Sequence, residues 1–182
     1  HCDKCKDLNA AEQALIFENA IVEVVREIDP EGQVAHLCYY NTLEAPEKVT
    51  PAEGIFLEYA PIGRNKYHPL SETWIEADGG VTHAQYLKYL NDNLKVFPKS
   101  TAQVLEYWMD CSLFSSWDPN NLVKVPWNKG LFLDDIKTYA KYGIHHVTCY
   151  AAYIGPNYVR KFGHPDCLDE YGQGLLNFES VK

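Results

Sequence analysis

The sequence predicts an α/β fold of parallel βα units, half of a TIM-type barrel with long rim loops, in a single domain spanning residues 1–182. Three observations predict it. Four β-prone runs leave through a small, polar or acidic residue followed by tyrosine: Leu37-Cys38-Tyr39-Tyr40, Leu57-Glu58-Tyr59-Ala60, Leu105-Glu106-Tyr107-Trp108 and Thr148-Cys149-Tyr150-Ala151. Stretches of helical periodicity fall between most of these runs. A full barrel carries eight strands in about 250 residues, so four strands here amount to one half. Ligands of such folds bind where the strands end.

Residues 9–29 read as an amphipathic helix, with Leu8, Ala11, Leu15, Val22, Val25 and Ile28 near helical spacing. Asn9 with Glu12 forms a capping-box pattern, and Asp29-Pro30-Glu31-Gly32 stops the helix. Strands follow over 33–40 and 54–60. The link between them leaves about a dozen residues, the lower limit for a parallel crossover, so it is expected to be irregular. A long loop over 61–81 carries Arg64, Tyr67, His68 and Trp74. Thr82 with Gln85 opens a helix to about Lys95, with Leu87, Leu90 and Leu94 inward and Pro98 beyond it. A third strand is expected over 101–109, and a loop from Asp110 to Gly130 carries Trp117 and Trp127. A helix over 131–142 turns Leu133, Ile136 and Ala140 inward and ends at Gly143. A fourth strand over 144–150, a short helical stretch near 155–162 and a glycine-containing tail complete the chain. Two sheet edges stay open in this arrangement, to be covered by a partner chain, a missing segment or a second copy.

Composition narrows the function. The chain is 46% hydrophobic and 23% charged, as a globular protein is. Its net charge of −9, with no Lys/Arg-rich run, argues against nucleic acid and against an anionic membrane surface. No run of about 18 apolar residues offers a membrane span. A neutral ligand such as a sugar fits this charge. Aromatic residues are abundant, with 13 Tyr, 4 Trp and 7 Phe, and several fall in loops. They either pin the loops to the body or stack on a carbohydrate face.

Side chains alternate along a strand. Glu58 and Glu106 are therefore expected on the opposite face from the tyrosine that follows each, and a barrel interior would tolerate a carboxylate better than an apolar helix layer. On this reasoning Glu58 and Glu106 face inward, with Tyr40, Trp108 and Ala151, while Tyr39, Tyr59, Tyr107 and Tyr150 face the helices. Two carboxylates at one opening are the minimum for glycoside hydrolysis, and Glu58, Glu106 and Asp110 are the available catalytic candidates. The alternative is structural: both glutamates paired with Arg64 or a backbone donor. Tyr40, Trp108, Arg64, His68, Trp74, Trp117 and Trp127 are the candidate substrate-binding residues. Cys2 and Cys5 form one Cys-x-x-Cys pair, half of a structural zinc site, with free thiols or a disulfide as the simpler reading and no other cofactor implied. Cys38 and Cys149 lie in strands, and Cys111 and Cys167 are expected in loops. No phosphate-binding, dinucleotide or serine-hydrolase motif is present.

These residues also carry a resemblance. Cys2-Asp3-Lys4-Cys5 before a long helix, then a strand ending in Tyr-Tyr, then Val104-Leu105-Glu106-Tyr107-Trp108-Met109-Asp110, Leu113-Phe114-Ser115-Ser116-Trp117, Asp134-Asp135-Ile136 and Tyr142-Gly143, resemble the second half of the bacterial domain-of-unknown-function 4838 family, part of which is classed as glycoside hydrolase family 163. The resemblance implies a (β/α)₈-type hydrolase barrel acting on N-acetylglucosamine-containing glycans, with acetamido participation. It also implies that the catalytic pair and a further cysteine of the motif lie upstream of His1, since the chain opens as an excised fragment would. The expectation is therefore a carbohydrate-active half-barrel, either part of a hydrolase or a non-catalytic binding or structural module that self-associates through open edges. A glycan-degrading role would place it outside the cell or in the periplasm, and otherwise the cytoplasm is expected.

Overall fold

The computed structural model describes residues 5–77 and 79–178. Helix α1 (Ala10–Ile28) leads into strand β1 (Val34–Cys38) and, after a 3₁₀ turn at Tyr40–Thr42, strand β2 (Ile55–Tyr59). Helix α2 (His83–Asn93), strand β3 (Gln103–Glu106), helix α3 (Lys129–Lys141) and strand β4 (His146–Cys149) follow. Helices α4 (Pro156–Phe162) and α5 (Asp166–Leu176) close the chain. The sheet is parallel throughout, in the order β1-β2-β3-β4.

Local chemistry sets these boundaries. Asn9 caps α1 with a reciprocal bond to Glu12, and the Thr82 side chain accepts from the Gln85 N–H at the start of α2. Asn128 caps α3 through the Leu131 N–H, so the helix begins two residues before its apolar pattern. Gly143 at φ 85 ends it, a conformation that a side chain resists. Buried Glu12 accepts from the backbone N–H groups of Asn9, Glu47 and Lys48, which ties the irregular β1–β2 link to α1. Helix α5 is a correction to the expected loop-like tail, and it holds Cys167. Gly172 and Gly174 hide it by lowering helix propensity. Gly174 is required there, since a Cβ would come within 2.2 Å of the Phe132 ring.

One face of the sheet carries the core. His36, Cys38, Ile55, Leu57, Tyr59, Val104, Glu106 and Val147 point toward the helices, where Leu15, Leu90, Phe132, Ile136 and Tyr139 meet them. The opposite face carries Ala35, Leu37, Phe56, Glu58, Gln103, Leu105, His146 and Thr148, none of them fully buried, and no helix packs on it among the described residues. A small cluster of Ala60, Ile62 and Tyr107, with Tyr39, Leu105 and Leu113, caps this open face near the C-terminal strand ends.

The register overturns the expected alternation. Tyr59 pairs with Val104, not with Tyr107, so the third strand is offset by three residues from its tyrosine landmark. An odd offset moves a side chain to the other face. Glu58 lies on the open face, and Glu106 lies under the helices. Of the four tyrosines only Tyr59 packs among the helices. Tyr107 and Tyr39 join the open-face cluster, and the Tyr150 ring sits 6.1 Å from that of Tyr107.

Candidate functional site

Loops after β1, β2 and β3 converge at the C-terminal end of the sheet around a groove of about 490 Å³. Tyr40, Arg64, Asn65, Tyr67, Phe114 and Trp117 line it. Three of these, Tyr40, Arg64 and Trp117, are expected binding residues that the fold brings together. Tyr67 and Phe114 are additions, their rings 6.1 Å apart and near edge-to-face. Tyr40, Tyr67 and Trp117 expose more than half of their surface, although an apolar ring gains by burial.

Two of the exposed rings are held in strained backbone. Tyr40 sits at φ 45 and Trp117 at φ 62, after Ser116 at φ 57. Tyr153, at φ 64, donates its hydroxyl to the Trp117 carbonyl at 3.1 Å. A left-handed non-glycine residue costs about 1–2 kcal/mol. Such residues cluster at ligand clamps and persist when the surroundings fix them. Here the Tyr39 backbone N–H bonds to the Thr42 hydroxyl beside Tyr40, and the Trp117 N–H bonds to the Ser112 carbonyl.

Beneath the groove lies a buried ionic network. Arg64, 2% exposed, donates Nε to Glu106 at 3.0 Å and a terminal nitrogen to Asp135. Its other terminal nitrogen holds the carbonyls of Asn65 and His68, each at 3.1 Å, and so fixes the loop that carries Tyr67. Glu106 accepts from the Tyr139 hydroxyl and the Tyr107 N–H. Asp135 accepts from Leu70 N at 2.8 Å and Trp108 Nε1 at 2.9 Å. Burial opposes the Arg64 charge, but Glu106 and Asp135 outweigh it and raise its pKa. Glu106 therefore holds a scaffold together, as the structural alternative had it, and does not face the opening. Asp135 and Tyr139 escape sequence reading, although an aspartate beside inward-facing Ile136 is the available signal.

Burial pushes the Asp135 carboxyl up to about 6, against the pull of Arg64 and its N–H donors. The unfolded carboxyl releases its proton near pH 4, well before the folded one. The contribution of Asp135 to stability is then complete below about pH 4 and is lost as the pH rises through about 6. Asp135→Asn removes this titration. Urea melts between about pH 4 and 7 are expected to show a flatter profile for the variant than for the native chain; equal slopes would mean that Asp135 is ionised throughout.

The remaining expected residues separate. Glu58 accepts from Gln103 Nε2 at 3.0 Å on the open face, and burial raises its pKa with that bond opposing. Asp110 is buried and caps the Cys111–Leu113 turn through the N–H and hydroxyl of Ser112. Trp108 packs on Phe132 and Tyr171 in the core. Trp127 packs at a tilt against Phe132 and donates its indole N–H to Glu170, pinning its loop. His68 pairs with Glu72 at 2.7 Å, and exposed Trp74 stands apart from the groove lining.

Cys2 lies outside the described residues, so the Cys2–Cys5 pair has no described geometry. Cys38, Cys111 and Cys167 are buried thiols, and burial pushes Cys38 up to about 12. The one group of three metal-capable side chains among the described residues is His164, Asp166 and Asp169, all exposed. It lies away from the groove lining, at the start of α5, and His164 is hydrogen-bonded to Asp169 at 2.7 Å. No helix of the described residues is long and apolar enough to cross a membrane.

No protein-family model, curated protein or solved structure matches the chain.

Proposed function

We propose that this chain is a carbohydrate-binding α/β unit, the glycan-holding half of a glycoside-hydrolase-type barrel that acts on N-acetylglucosamine-containing sugars. The groove carries this reading. Exposed Tyr40, Tyr67 and Trp117 gather there at the strand ends, two of them in backbone that opposes their presence. Aromatic rings offer an apolar face to the C–H side of a sugar and, in tyrosine, a polar tip to its hydroxyls. A neutral glycan also suits a chain of net charge −9. Helices on one face only, with polar Glu58, Gln103, His146 and Thr148 on the other, fit the inner wall of a half-barrel.

Hydrolysis needs two carboxyls about 5–10 Å apart on one opening. Glu58 suits the acid role, since its raised pKa favours the protonated form. Glu106 and Asp110 are engaged by the scaffold, so the described residues offer one candidate acid and no partner for it. Binding, rather than turnover, is what this reading assigns to the chain by itself.

Calorimetric titration with a soluble N-acetylglucosamine trimer tests it. Tyr67→Ala is expected to weaken binding by about tenfold, the scale of one lost aromatic contact, with an unchanged melt. A native chain that takes up no heat at millimolar sugar overturns the proposal.

A further inference from the structure

We propose that a second copy of this chain covers both open sheet edges, so that two four-stranded sheets close into one eight-stranded parallel barrel about a two-fold axis. The inference rests on the half-barrel reading of the sheet, makes the other half of that barrel a second copy of this chain rather than a further segment, and is independent of what the groove binds.

Strands β1 and β4 are the two edges, and among the described residues neither pairs outward. Parallel sheets are normally buried on both faces, yet the face opposite the helices is open and includes Leu37, Phe56 and Leu105. Each edge is flanked by apolar surface. Beside β1, helix α1 exposes Phe17, Ile21, Val24 and Ile28 at spacings of four, three and four residues, with exposures of 70, 38, 58 and 86%. That is a second apolar stripe, distinct from the inward Ala11, Leu15 and Val22. A strict four-three-four seam is the pattern a helix presents to another element. Beside β4, a groove of about 620 Å³ runs between the strand and the end of α5, lined by apolar Val147, Leu175, Leu176 and Phe178 and by polar Gln103, His145, His146 and Thr148.

A two-fold axis parallel to the strands sets β1 of each copy against β4 of the other. Each α1 stripe then faces the partner's α5 groove, so both unlike surfaces are used twice and the assembly closes. Charge supports this pairing over α1 against α1. Exposed Glu27, Asp29 and Glu31 stand where α1 ends and β1 begins. Exposed Lys99 and Lys141 stand where β4 begins, Lys99 lying within 4.0 Å of the position a Gly143 side chain would take. In the closed arrangement these opposite charges meet at the same end of the barrel, whereas α1 against α1 brings acid toward acid.

Sedimentation velocity of the whole chain tests the proposal, with circular dichroism to verify folding. The native chain is expected at twice its monomer mass. Ile21→Asp and Leu176→Asp, each on a different surface, are each expected to shift the dimer dissociation constant upward by at least tenfold while the fold is kept. A native monomer overturns the proposal. So does a dimer that yields to Ile21→Asp and ignores Leu176→Asp, which is α1 pairing with itself, and so does an open series of higher oligomers. None of these outcomes depends on sugar binding.

Discussion

Arg64→Ala is expected to destabilise the fold by about 3–5 kcal/mol and to abolish the groove at the same time. Breaking a buried ionic group by removing one member leaves the other charges without compensation. Here two carboxylates lose their cation. Glu106 is 2% exposed and Asp135 is fully buried, so water cannot take over. The loss extends to the backbone, because the same guanidinium holds the Asn65 and His68 carbonyls. Without that clamp the loop bearing Tyr67 loses the guanidinium that holds two of its carbonyls, and sugar affinity is expected to fall with it. Urea unfolding measures the first effect and titration the second. A combined variant separates them. Arg64→Met with Glu106→Leu and Asp135→Leu removes all three charges together, a change that is often neutral or stabilising. It is expected to recover part of the stability, since the Tyr139 hydroxyl, the Trp108 indole N–H and the Leu70 N–H lose their acceptors, while the groove stays inactive because methionine cannot bond the two carbonyls. A loss below about 1 kcal/mol for Arg64→Ala would mean the network carries no more than an exposed ion pair does.

This network explains why the strands were legible in the sequence and their faces were not. Apolar periodicity and two capping patterns place α1 and α2 to within about two residues, because those signals are local. The four parallel strands follow from short β-prone runs between helices. Face assignment depends on register, and register is set between strands that lie far apart in sequence. Glu58 and Glu106 share a face only if Tyr59 and Tyr107 fall in matching register, yet Tyr59 pairs with Val104. The argument that a carboxylate avoids the helix layer holds only for an unpaired one. Arg64, Tyr139 and the Tyr107 N–H satisfy Glu106 there. Residue type singles out Tyr40, Trp117 and Arg64, which line the groove. It could not separate them from Trp127, whose indole N–H finds Glu170, or from Trp108, whose indole N–H finds Asp135. Those partners come from later helices, and no local pattern announces them.

Trp117 then offers the sharpest separation of binding from folding. Its backbone lies at φ 62, where glycine rests without strain and other residues cost about 1–2 kcal/mol. Its ring is more than half exposed, so packing returns only part of that cost. Trp117→Gly and Trp117→Ala both remove the ring, but only glycine releases the strain. The glycine variant is expected to be more stable than the alanine variant by about 1 kcal/mol, even though glycine enlarges the entropy of the unfolded chain. That ordering reverses the usual preference in regular structure. Both variants are expected to lose at least about 30-fold in affinity for the N-acetylglucosamine trimer, the scale of a tryptophan hot spot near 2 kcal/mol. Paired urea melts and titrations read the two effects. If alanine proves the more stable, the left-handed conformation stores no strain at this position. If affinity survives both changes, the ring is a loop fixture, and the groove must hold its ligand through Tyr40 and Tyr67 alone. The joint outcome, more stable as glycine and unable to bind, would show that this loop keeps a strained tryptophan because the ligand needs the ring there.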